Sequence, residues 1–269
     1  MKWLRFLFLA LVVGRRGKDP QALRNKGLIC TTPRIYSSNA TELPHELPTS
    51  LFISRNNVQV IDYIDSGRYS TVFNGVLKRR ANQEQRVVLK VLKPHVLAKI
   101  KREVSVLNHL TGTKGVVQLL GVTKSDDVFT ILFEHLGPDY HVLSLPHHNL
   151  TKFDIQVYMY KLLEALEQCH MKGIMHRDIK SRNILFNKVN YGLKLIDFGL
   201  SDVYVPRKEY NPSVASRHYK SPELLLNYYF YDYAIDIWSA GCVFAGLMFA
   251  KDPFFFDRGT TSTAGVGVG

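Results

Sequence analysis

His176-Arg177-Asp178-Ile179-Lys180-Ser181-Arg182-Asn183, with Asp197-Phe198-Gly199 downstream, is the stretch on which the reading of this chain turns. It reads as a catalytic loop followed by a metal-binding turn. Asp178 can orient a substrate hydroxyl and accept its proton. Asn183 and Asp197 offer hard oxygen ligands suited to magnesium. Lys180 can face a phosphate as it is transferred. The alternative is a polar turn between two strands that happens to carry Asp and Asn. Both motifs stand in order among apolar, strand-like residues, which argues against that alternative.

The pairing of His-Arg-Asp with Asp-Phe-Gly resembles that of the protein kinases. Lys180, two residues after Asp178, favours the Ser/Thr branch over the Tyr branch. Upstream, Val58 to Ile64 alternates like a strand. A turn, Asp65-Ser66-Gly67-Arg68-Tyr69-Ser70, leads into Thr71-Val72-Phe73. Such a hairpin covers ATP phosphates with backbone N–H groups, and it defines an ATP-binding set from Ile64 to Val72. Only Gly67 remains of a G-x-G-x-x-G pattern, so an ordinary hairpin turn is the competing reading.

Arg86 to Lys93 is a β-branched strand in which Lys90 would hold the α- and β-phosphates. Glu103, in a helix-like stretch from Lys99 to Leu110, would pair with it. Val88 would line the pocket, and Val116–Val122 and Val128–Phe133 read as further strands. Glu134 to Leu136 reads as the hinge that meets the adenine edge, punctuated by Gly137-Pro138. Phe133 would stand at the back of the pocket, with Leu185 and Ile196 as its floor. Asp154 to Lys172 has helical periodicity with Cys169 on or near its apolar face, where a core thiol is expected. Asp232 to Phe249 reads as a buried helix. Its Asp236 would brace the catalytic loop backbone rather than touch substrate.

The expected fold class is α+β, a two-lobe kinase fold. A small antiparallel-sheet N-lobe with one helix would cover residues 51–136, and a mainly helical, incomplete C-lobe 137–258. Residues 1–50 read as a basic extension and linker, and 259–269 as a low-complexity tail, disordered or the product of an altered reading frame or splice.

The 269 residues are 46% hydrophobic, enough for a sizeable core. Three scattered cysteines give neither a disulfide framework nor a zinc site. Of the net charge of +12, residues 1–41 supply +7 through eight basic side chains and one acid. Most of the excess therefore sits outside the catalytic region, and no aromatic-interleaved basic patch points to nucleic acid. The apolar run Phe6–Val13 is too short to span a bilayer, which needs about 20 residues. A signal-peptide core, an organelle transit peptide within residues 1–26 and a mis-assigned start are the three readings of this segment.

Within the eukaryotic protein kinases the chain resembles the casein kinase 2 catalytic (alpha) subunits. The resemblance rests on Gly67-Arg68-Tyr69-Ser70, Val88 to Pro94, Lys99 to Glu103, Phe133-Glu134-His135, Gly173 to Asp178, Val214 to Lys220 and Tyr231-Asp232-Tyr233. It implies transfer of the γ-phosphoryl of ATP or GTP, with Mg2+, to Ser or Thr in acidic context. Arg217 and Lys220 would read the acids, a regulatory beta subunit would be a partner, and the location would be nucleus and cytoplasm. Ser181 stands where that family has Pro, and Phe198 where it has Trp. The resemblance implies further C-lobe helices, and the expected C-lobe is incomplete without them. Glu223 of Ser221-Pro222-Glu223 would then lack its arginine, a loss of about 3–5 kcal/mol for a buried pair, and the face from Phe244 to Phe249 would be exposed. A nucleotide-binding scaffold without turnover and a truncated, non-functional fragment are the competing readings.

Overall fold

The computed structural model describes residues 46–67, 70–79, 83–93, 97–126, 128–142 and 150–255. The readings of residues 1–45 and of the tail lie outside these, as do those of Arg68, Tyr69 and Pro94. No helix among the described residues is long and apolar enough to cross a membrane.

Five antiparallel strands come first: β1 (Val58–Ser66), β2 (Ser70–Lys78), β3 (Glu84–Leu92), β4 (Leu119–Ser125) and β5 (Val128–Glu134). They form one sheet in the order β1-β2-β3-β5-β4. Helix α1 (Leu97–His109) lies between β3 and β4 in sequence. Strand period sets the faces. On β3, Val87 and Leu89 are buried, so Val88 and Lys90 turn to the other face. Val72 pairs with Lys90 across β2 and β3 and so shares that face. Gly75 is required where it stands, because a Cβ would lie 2.5 Å from Leu89 and 2.7 Å from the Gln59 carbonyl.

The expected strand at Val116–Val122 is displaced to Leu119–Ser125. The cause is Gln118, whose side chain takes the Gly112 N–H and donates to the carbonyls of Thr113 and Val116. This closes a compact turn, and Val116 bridges to Leu195 instead of joining the sheet. β-Propensity alone does not separate the two outcomes.

The second half is built on α2 (Lys152–Met171) and α4 (Ala234–Phe249), with the single-turn α3 (Pro222–Leu225) before α4. A capping box opens α2: Thr151 accepts from the Asp154 N–H while Asp154 accepts from the Thr151 N–H. Between the helices lie β6 (Tyr140–Val142), β7 (Ile174–Met175), β8 (Ile184–Asn187), β9 (Gly192–Leu195) and β10 (Asp202–Val203). Of the floor residues, Leu185 lies on β8 and Ile196 directly follows β9, and β7 leads straight into the catalytic loop. One apolar cluster joins Val104 and Leu107 of α1, Leu162 and Leu166 of α2, and Ala240 and Val243 of α4, so the halves share a core. Cys169 is fully buried in it, as expected of a core thiol, and burial pushes the thiol pKa up.

Two expectations about α4 and its surroundings are corrected. Glu223 is only partly buried, so the cost of stranding a buried charge does not apply to it. The face from Phe244 to Phe249 is mixed: Leu247 is 7% exposed and packs in the main core, while Met248 and Phe249 are 53% and 70% exposed.

Candidate active site

β7 delivers the chain to His176, and the backbone then turns sharply at Arg177, which adopts φ 65°. Left-handed backbone is costly for a side-chain-bearing residue and persists only where the surroundings hold it. Asp236 on α4 does the holding. Its carboxylate accepts from the N–H groups of His176 and Arg177 and from His170 Nε2, each at 2.8 Å. Asp236 is 1% exposed. Burial pushes its carboxyl up, but these donors outweigh it and hold the pKa below the usual range.

His176 is fully buried, and burial lowers its pKa. The neutral ring explains its contacts. The Asp178 N–H donates to Nδ1, and Nε2 donates to the Ile196 carbonyl at 3.2 Å. Its ring packs on Phe198, with centroids 4.6 Å apart. Phe198 is thus drawn fully inside while Asp197, at φ 60°, faces the cleft.

Asp178, Lys180 and Asn183 come together in one hydrogen-bonded group. Asp178 Oδ2 accepts from Lys180 Nζ at 2.7 Å and from Asn183 Nδ2 at 3.0 Å. A residue that the sequence reading did not single out completes the set. Ser216 donates to Asp178 Oδ1 through its N–H at 3.0 Å and its hydroxyl at 2.9 Å, and it accepts from Lys180 Nζ at 3.0 Å. Ala215, at φ 63°, turns the chain so that Ser216 points there. No local pattern marks Ser216, because its partner lies 38 residues away.

On the sheet side, Lys90 Nζ lies 2.7 Å from Glu103 and 2.7 Å from Asp197. Burial alone would lower the Lys90 pKa. The two carboxylates reverse this and hold it raised, so the ammonium persists. The Asp197 side chain is 45% exposed. Burial raises its carboxyl, but Lys90 more than offsets this and holds it below the usual range. Asn183 and Asp197 supply a short oxygen donor set. Magnesium fits it, since that ion keeps several waters and takes the rest of its ligands from phosphates. No cluster of three or more His, Cys, Asp or Glu side chains that could hold a metal exists among the described residues.

The hairpin differs from its sequence reading. The Gly67 N–H already donates to the Ser70 carbonyl at 2.8 Å, and the Ser66 N–H to Asp65 Oδ1 at 2.8 Å. Thr71 bonds the Ser66 hydroxyl across the hairpin, and Lys93 Nζ ties the Gly67 carbonyl to the end of β3. Two amides assigned to phosphate are therefore engaged within the turn. Ile64, at the end of β1, is 45% exposed. Val72, Val88, Leu136, Leu185 and Ile196 are partly buried. Glu134 turns its side chain to Lys194 Nζ at 2.7 Å and to the Gln118 N–H at 3.0 Å, while Lys194 also reaches the Val116 carbonyl.

Of the two residues assigned to substrate acids, Arg217 is exposed. Lys220 is partly buried, and its ammonium donates to the Pro212 carbonyl at 3.1 Å. The loop-like segment before it is tethered by tyrosines: Tyr210 OH takes the Val205 N–H, and Tyr231 OH donates to the Asn211 carbonyl.

The family model described as protein kinase domain matches residues 58–266. That span contains every group placed above: the lysine–glutamate pair, the loop carrying Asp178 and Asn183, and the turn carrying Asp197. The chain belongs to the protein kinase domain family.

Proposed function

We propose that the protein is a serine/threonine kinase, transferring the γ-phosphoryl of ATP or GTP, with Mg2+, to Ser or Thr in an acidic sequence context. The observation that carries this reading is the Lys180 bridge between Asp178 Oδ2 and the Ser216 hydroxyl. Lys180 stands two residues after Asp178, the spacing that favours the Ser/Thr branch, and its ammonium is held at the carboxylate that would take the hydroxyl proton. Lys90 would bind the α- and β-phosphates, Asn183 and Asp197 would hold the metal, and Asp178 would take the proton. Positioning and charge stabilisation do most of the work in this chemistry. Exposed Arg217 supports the acidic preference, and Lys220 is less available for it.

The test is transfer of labelled phosphate to an acidic Ser peptide and to the same peptide with Tyr at the acceptor. Transfer to the Ser peptide alone, absent in Asp178→Asn, is expected. Equal signal from wild type and Asp178→Asn would sink the reading. Ser216→Ala is expected to lower kcat by about ten- to a hundredfold, a hydrogen bond to a charged group being worth roughly 1.5–3 kcal/mol. An unchanged kcat would remove Ser216 from turnover.

The engaged Ser66 and Gly67 amides favour a second reading, nucleotide binding without turnover. Mg-ATP would then raise the thermal midpoint with no phosphate transferred.

A regulatory subunit, the partner implied by resemblance, would find a groove of mixed lining on the sheet. Val58, Val60, Leu89, Val91 and Val128 line it, with Arg55, Thr123, Ser125, Asp126 and Thr130 as its polar part. Val60→Glu is expected to abolish co-elution with such a subunit, and retained co-elution would reject this surface.

A further inference from the structure

A second polar cluster, separate from the groups assigned above, sits beside the catalytic loop. Asp252, in the turn after α4, accepts from Ser181 Oγ at one carboxylate oxygen and from Tyr219 OH at the other. The two hydroxyls lie 3.2 Å apart. Ser181 is 7% exposed and Tyr219 6%. Hydroxyls so buried are costly unless paired, and bonds to a carboxylate are the strong kind. Tyr158 OH, also buried and without a hydrogen-bond partner among the described residues, is near enough for the Asp252 charge to add to the effect of burial in pushing its pKa up.

The positions of the two donors give the cluster its meaning. Ser181 follows Lys180 directly and opens the short turn Ser181–Asn183. Tyr219 closes the turn Arg217–Tyr219, and its N–H donates to the Ser216 carbonyl at 2.9 Å. One carboxylate therefore joins the turn bearing Lys180 and Asn183 to the turn bearing Ser216. Those are the two walls around Asp178. Ser239 on α4 adds a bond to the Tyr219 carbonyl at 2.8 Å. The nucleotide side is held separately, by Lys90, Glu103 and Asp197.

We propose that Asp252 is a positioning residue for the protein substrate, setting through Ser181 and Tyr219 the gap at Asp178 into which the acceptor hydroxyl passes. The proposal rests on the phosphotransfer reading above. It requires the peptide and nucleotide halves of the site to respond differently when the clamp is cut.

Tyr219→Phe removes one hydroxyl and keeps the ring, Asp252→Ala removes the acceptor, and the double variant tests whether both act through one carboxylate. Each single change is expected to lower kcat/KM for an acidic Ser peptide about tenfold, equivalent to about 1.4 kcal/mol. KM for ATP should stay within about twofold, the signature of a lost substrate-positioning contact. The double variant should be no worse than Asp252→Ala. Equal loss on peptide and ATP, additive losses or an unchanged peptide kcat/KM would overturn the proposal. If Asp252→Ala does not fold, Tyr219→Phe carries the test. Amide hydrogen exchange supplies a readout that needs no turnover. Tyr219→Phe should speed exchange at Asn183, Ser216 and Tyr219 while leaving His176 and Arg177 protected. Uniform or absent acceleration would overturn the clamp. A wild-type chain without transfer would count against the phosphotransfer reading alone, with exchange still deciding the clamp.

Discussion

Asp236→Ala is expected to remove about 3–5 kcal/mol of stability, out of roughly 5–15 for a typical domain. The carboxylate is the shared acceptor for two backbone N–H groups and a buried imidazole, each at 2.8 Å. Alanine leaves the two backbone N–H groups and the imidazole buried without this shared acceptor. The left-handed backbone at Arg177 loses its anchor in the same step. Urea unfolding followed by circular dichroism would measure the loss, and a midpoint within error of wild type would refute it. Asp236→Asn tests the charge separately, since its amide keeps one acceptor oxygen but turns an NH2 group toward a donor. The pH dependence has a fixed sign. The folded-state pKa lies below the unfolded value of about 3.9. This contribution is therefore complete above that pH and is lost as the pH falls through the folded value. Wild type should show the acid loss, and Asp236→Ala should show less of it.

Asp178→Asn is expected to lower kcat by about 10²–10⁴-fold, the range spanned by general acid–base catalysis. The amide keeps the size of the side chain but cannot take the hydroxyl proton. Its NH2 group would also face either Lys180 and Asn183 or Ser216, all of which donate to the carboxylate. Binding of nucleotide should survive, because Lys90 and Asp197 contact neither oxygen of Asp178. Single-turnover transfer measured beside an Mg-ATP thermal shift separates the two effects. A variant that loses the thermal shift together with transfer would show that Asp178 supports nucleotide binding rather than proton removal.

These expectations were legible to different degrees in the sequence. The catalytic loop and the Asp-Phe-Gly turn are short and contiguous, so their chemistry is written in adjacent residues. The Lys90–Glu103 pair is 13 residues apart and follows from a strand that leads into a helix. Asp236 could be assigned because a helix carries it in a recognisable pattern. Ser216 and Asp252 could not. Their partners lie 33 to 71 residues away, and polar contacts at that range leave no periodicity to find. Gln118 shows the same limit at short range: one amide side chain redirected a stretch whose propensity was strand. The hairpin was assigned by analogy of shape, and its engaged amides depend on φ and ψ, which residue names do not carry.

The Glu134 side chain has one more consequence. It pins the end of β5 to Gln118 and to Lys194 of β9, on both sides of the cleft. Widening the cleft therefore turns the halves about a pivot close to Glu134. The chain can rotate just beyond it, at Gly137, where φ is +89° and, its chain neighbours aside, no atom of the described residues lies within 4 Å of where a Cβ would be. Travel in such a motion grows with distance from the pivot, so the hairpin that joins β1 to β2 would sweep furthest while the cleft wall beside Glu134 stays nearly still.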